Sequence, residues 1–190
     1  MRPGVSSALE RLNHLPAEEA QARLLSCCGS REWARRLAAQ RPFGSAEALA
    51  EAAGRIWASL SREDWLEAFA AHPRIGAGTE KGTDSFNRPS LSGAERKTDL
   101  SRFWARGEQA GARSATPETL ARLADANRRY EDRFGHIFIV CASGKSAAEM
   151  LALAEARLHN DAQTELAIAA EEQRQITRLR LAKLLESEEA

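Results

Sequence analysis

HIFIVCA, residues 136–142, is the one strongly β-prone segment in a chain otherwise rich in helix formers. Branched and aromatic side chains in succession favour extended backbone. A strand also needs a partner for its N–H and C=O groups, and no second run of this kind is present to provide one. The segment therefore reads as an extended connector buried among helices, and the chain as all-α.

Capping residues flank it on both sides. Upstream, Thr116 and Pro117 suit the N-cap and first residue of PETLARLADANRRYEDRFG, and Gly135 can take the left-handed conformation that ends it. Downstream, Ser146 with Glu149 forms a capping box for SAAEMLALAEARLHN. Asn160 and Asp161 punctuate before a long final helix, Ala162 to Leu185. On that helix Leu166, Ala169, Gln173, Ile176 and Arg180 lie close to one stripe, apolar until it ends in an arginine.

Toward the N-terminus, Ser7 with Glu10 reads as a first capping box, Pro16 as the first residue of a second helix, and Gly29 as its stop. Ser30, Ser45 and Ser61 each precede a further helical pattern, so five helices fit before His72. Residues 74–93 are polar, with four glycines and Pro89, and form a long loop. Helical character resumes near Ala94 and continues through Trp104 and ARGEQAGA. The expected architecture is a single-domain bundle over residues 1–190, with roughly nine helices and one short extended connector.

Lys and Arg number 27 and Asp and Glu also 27, so no global field steers the chain to nucleic acid or an anionic membrane. No apolar run reaches transmembrane length or the pattern of a signal peptide, and a cytoplasmic location is expected. The three cysteines, 27, 28 and 141, match neither a disulfide framework nor zinc spacing and read as small buried side chains. No metal, phosphate-loop or nucleophile-elbow motif occurs. The common cofactor-dependent readings therefore lose their anchor.

Among the histidines, His14 and His159 sit with charged neighbours on helices and read as solvated, while His136 reads as a capping or core residue. His72 stands apart in AAHPRIGAG because Pro73 disfavours α geometry at the residue before it. Its ring then projects away from the helix axis, with an intrinsic pKa suited to proton exchange near neutrality. A helix-terminal histidine paired with the dipole is the bland alternative, and the residues alone leave the two balanced. Glu108 and Gln109 offer adjacent acceptors and donors that fit the edge of a urea or amide, although most such pairs are merely solvated.

Taken in order, HPRIG at 72–76, GEQAG at 107–111, NRRYEDRFGHIFIVCASG at 127–144 and RLHNDAQTELAIAAEEQRQITRLRL at 157–181 resemble the OHCU decarboxylase family. That family acts on 2-oxo-4-hydroxy-4-carboxy-5-ureidoimidazoline (OHCU). The resemblance implies an all-α protein, often a homodimer, that converts this small molecule to (S)-allantoin in urate degradation without metal or cofactor. It implies His72 as the catalytic proton donor, with Pro73 shaping the adjoining wall. Glu108 and Gln109 would hold the ureido and ring amide groups, and the backbone of Phe138, Ile139, Val140, Cys141 and Ala142 would line the pocket. Arg180 would be the orienting cation, with Arg157 as second choice. Ala105 stands where many members carry serine, and the loop after His72 is longer than the family pattern. Two other readings are a non-catalytic helical module that docks through its last helix, and a ureide-binding hydrolase using His72 with Glu108.

Overall fold

The computed structural model describes residues 3–75, 104 and 115–186, and every regular element among them is a helix. In chain order these are α1 (Pro3–His14), α2 (Ala17–Cys28), α3 (Arg31–Ala38), α4 (Ala46–Ala58), α5 (Arg62–Ala70), α6 (Pro117–Phe134), α7 (Ala147–Arg157) and α8 (Ala162–Glu186). The ninth expected helix falls on residues 94–112, which lie outside the described residues except for Trp104, helical and buried. No described helix is long and apolar enough to cross a membrane.

Caps set most boundaries where the side chains predict them. Ser30, Ser45, Ser61, Thr116 and Ser146 each accept a hydrogen bond from the backbone N–H three residues on. Ser146–Glu149 closes the expected capping box, and Ser61–Asp64 closes another with aspartate in place of glutamate. Two starts differ from expectation. The first helix begins at Pro3, which leaves Ser7 inside it, because proline's fixed φ suits the opening turn. Pro16 is the cap of α2 rather than its first residue, with ψ at 147° and its carbonyl accepting from Ala20 N–H at 3.0 Å.

The chain divides into two compact units, Met1–Ala71 with Ile168–Ala190, and His72–Ala167. In the first, α3 packs against α2, α4 and α5. Buried Trp33 and Trp57 bring indole N–H groups into this core, and each finds a carbonyl: Ala53 at 3.0 Å and Ala170 at 2.9 Å. In the second unit α6 packs against α7. Its hydrophobic core joins Leu123, Tyr130 and Met150 of those helices to Ile75 and to Phe138 and Val140 of the connector.

Gly29 and Gly135 end α2 and α6 with φ of 89° and 74°. A Cβ on Gly29 would stand 2.6 Å from Ala71 Cβ, whereas nothing lies within 4 Å of one on Gly135. Left-handed backbone costs a non-glycine residue about 1 to 2 kcal/mol, and overpacking adds about 1 to 3 kcal/mol. Chemical denaturation should therefore show Gly29→Ala losing about 2 to 5 kcal/mol, and Gly135→Ala losing no more than about 2 kcal/mol.

Candidate functional site

The segment after His72 is fastened to one face of α6. Asn127 Nδ2 donates to the Ile75 carbonyl at 2.8 Å, and one turn on Glu131 takes Arg74 Nε and Nη2 at 2.6 and 2.7 Å. Buried Ile75 completes the attachment. His72 follows the C-cap of α5, half-buried with its Nε2 shielded from solvent, and Pro73 is exposed. Asn127 is itself buried, and among the described residues its Oδ1 has no hydrogen-bond partner.

Between Asn127 and Glu131, Tyr130 points into a buried polar network. Its hydroxyl donates to Glu165 Oε1, which also accepts from Arg157 Nε at 2.8 Å and from Nη2. Asn160 Nδ2 donates to Glu165 Oε2 at 2.8 Å. Arg157 Nη1 donates to the Ile139 carbonyl at 2.8 Å, and the guanidinium carbon lies 4.8 Å from the centre of the Phe138 ring. Glu165 is fully buried and Arg157 nearly so, which makes their charges tolerable only as a pair with their remaining atoms satisfied.

The connector carries neither helix nor strand pairing, as its isolation in the sequence demands. Cations take the place of a neighbouring strand: Arg157 at the Ile139 carbonyl and Lys145 Nζ at the Cys141 carbonyl, at 2.7 Å. Phe138 to Ala142 are all buried. Among the described residues, the N–H groups of Val140 and Ala142 meet no acceptor. Buried amides are seldom left so, and a ligand is one way to satisfy them.

His72, Pro73, the five connector residues and Arg157 belong to one unit, and the shared core of Ile75, Phe138 and Val140 joins the two segments. Arg157 spends its donors on Glu165, Tyr130 and Ile139, so it serves the connector. Arg180 lies buried on α8 in the other unit, where its charge acts on Cys28. Burial pushes that thiol up to about 12. On the same helix Gln173 Nε2 donates to Thr177 Oγ1 at 3.2 Å and to the Cys28 carbonyl at 3.4 Å. Glu108 and Gln109 lie outside the described residues. His136, half-buried, packs edge-on to Tyr130, with ring centres 5.5 Å apart. Among the described residues no group of three or more His, Cys, Asp or Glu could hold a metal ion.

Sequence reading missed Asn127, Tyr130, Lys145 and Glu165. Tyr130 is the chain's single tyrosine, in a helix crowded with charges, and this was the available signal.

Burial, followed by the hydrogen bond to Glu165, pushes the Tyr130 hydroxyl far above the ordinary phenol range. A folded-state pKa above the unfolded one means full stability below about pH 10 and loss above it, as the unfolded chain sheds its proton first. Alkaline titration should show no tyrosinate absorbance at about pH 10 to 11 until the chain unfolds. Glu165→Ala should cost about 3 to 5 kcal/mol, because it strands a buried guanidinium. Arg74→Ala, which opens a surface pair, should cost no more than about 1 kcal/mol by the same denaturation measurement.

Comparison with known proteins brings these segments together. The model of the family described as OHCU decarboxylase matches residues 13–182. The uric acid degradation bifunctional protein TTL of Arabidopsis thaliana is 39% identical over 158 residues, 83% of this chain. This chain covers 45% of that relative's length. A 2-oxo-4-hydroxy-4-carboxy-5-ureidoimidazoline decarboxylase of Haloferax volcanii is 32% identical, over 82% of each chain. A crystal structure of OHCU decarboxylase in the presence of (S)-allantoin shares the fold with a TM-score of 0.68 and 36% identity, over 87% of this chain and 98% of that one. Because the matched range reaches from α1 to α8 and takes in both the His72 segment and the connector, this chain belongs to the OHCU decarboxylase family.

Proposed function

We propose that this chain is a carboxy-lyase that decarboxylates OHCU to (S)-allantoin in urate degradation. The observation that carries the reading is that the family match spans every candidate site residue, from His72 to Arg180. The two buried connector amides, which meet no acceptor among the described residues, support it independently, since they suit a ligand rich in carbonyl and carboxylate oxygens.

In this reading the bond from the ring carbon to the carboxylate breaks, carbon dioxide leaves, and the electron pair passes into the ring's imine and carbonyl system. The hydroxyl on that carbon then gives up its proton to become the ring carbonyl of the product, and a proton must reach the adjoining, ureido-bearing carbon on one face. His72 as imidazolium supplies it, with Pro73 shaping the wall beside it. Glu108 and Gln109 bind the ureido and ring amide groups, the backbone of Phe138 to Ala142 lines the pocket, and Arg180 orients the carboxylate. Arg157 is less suited to that task because its donors already serve the protein. Pre-organised dipoles and a positioned acid are sufficient for such chemistry, without a cofactor. The reading also takes residues 1–190 as one decarboxylase-like domain of roughly nine helices and one short extended connector, acting in the cytoplasm as a homodimer.

Freshly generated OHCU given to the purified chain should release carbon dioxide and yield optically active (S)-allantoin faster than spontaneous decay. His72→Asn should lower kcat by about 10² to 10⁴. Racemic product at the uncatalysed rate from the unmodified chain would remove the reading.

A further inference from the structure

The two cations on the connector do more than hold it in place. In a trans peptide the C=O of one residue and the N–H of the next point in opposite directions. The carbonyl of Ile139 therefore shares a peptide plane with the N–H of Val140, and the carbonyl of Cys141 with the N–H of Ala142. Arg157 and Lys145 each place a positive donor on the carbonyl side of one plane, at 2.8 and 2.7 Å. A charged donor at the oxygen draws electron density from the nitrogen and makes its N–H a stronger donor. Both amides so activated are buried and meet no acceptor among the described residues.

The geometry points to Arg157 and Lys145 as positioning residues that polarise the peptide groups 139–140 and 141–142, so that the Val140 and Ala142 N–H groups stabilise anionic charge on the substrate. This rests on the decarboxylase reading for the identity of the substrate, but not for the polarisation itself. Neither cation touches the ligand. Glu165 and Tyr130 hold the Arg157 guanidinium in register from behind, whereas Lys145, half-buried just before α7, has no such support among the described residues. Because the negative charge moves from carboxylate to ring as carbon dioxide leaves, donors fixed in advance lower the barrier more than they tighten ground-state binding.

The test uses the full ¹⁵N-labelled chain and Lys145→Met, a half-buried position that should tolerate the change. Without ligand, the Ala142 amide proton should move upfield in the variant while that of Val140 stays in place. Saturating (S)-allantoin should move both amide protons downfield in the unmodified chain, and the Ala142 response should shrink by at least half in Lys145→Met. With OHCU, kcat should fall about tenfold, a fraction of the loss expected on removing an oxyanion donor outright, while KM stays within about twofold. Tyr130→Phe should shift the Val140 amide and leave Ala142 alone, which guards against a general loosening of the fold. An unmodified chain that decarboxylates OHCU but whose two amides ignore (S)-allantoin overturns the proposal, as does Lys145→Met with unaltered kcat. If the unmodified chain fails to decarboxylate, the functional reading falls, and the ligand-free comparison still decides: an unmoved Ala142 amide sinks the polarisation.

Discussion

A peptide segment buried without a neighbouring strand must find its hydrogen bonds elsewhere, and the attachment of the Ile139 carbonyl to Arg157 is where this chain meets that demand. The guanidinium can sit in the interior only because Glu165 neutralises it and Tyr130 and Asn160 complete the carboxylate's bonds. Those partners come from α6, from the turn before α8 and from α8 itself. Two separated stretches of sequence, α6 and the turn that opens α8, are thus committed to one geometry by the needs of a single carbonyl, with hydrophobic packing around Phe138 and Met150 closing over it.

Helix α6 has a second task on the same side. Asn127 and Glu131 flank Tyr130 and secure the residues after His72, so the histidine segment and the connector are both referred to one rigid element. Sites carried on helices hold their geometry better than sites on loops. The exposed Arg74–Glu131 pair adds little to stability. Its value is directional, because two parallel bonds fix the backbone that leads away from Pro73.

The fold was legible where local chemistry decides it. Ser30, Ser45, Ser61, Thr116 and Ser146 announce their helices because capping is a contact over three residues, and the β-prone run declared itself a connector by its isolation. Pro3 shows the limit, since a proline and a serine both offered a start and periodicity does not rank them. The site was legible only in part. His72 stood out through Pro73, and the connector through its composition. The Arg157–Glu165 pair did not, because a helix break separates the two and no single helical register relates them. Lys145 and Cys141 are four residues apart in a turn, where the contact depends on backbone path rather than spacing.

Cys141 is buried inside the connector, between the Val140 and Ala142 amides that meet no acceptor among the described residues. Any reagent that alkylates it must wait for the segment to lift away from the helices. The rate of its modification is therefore a built-in clock for local opening, separate from global unfolding.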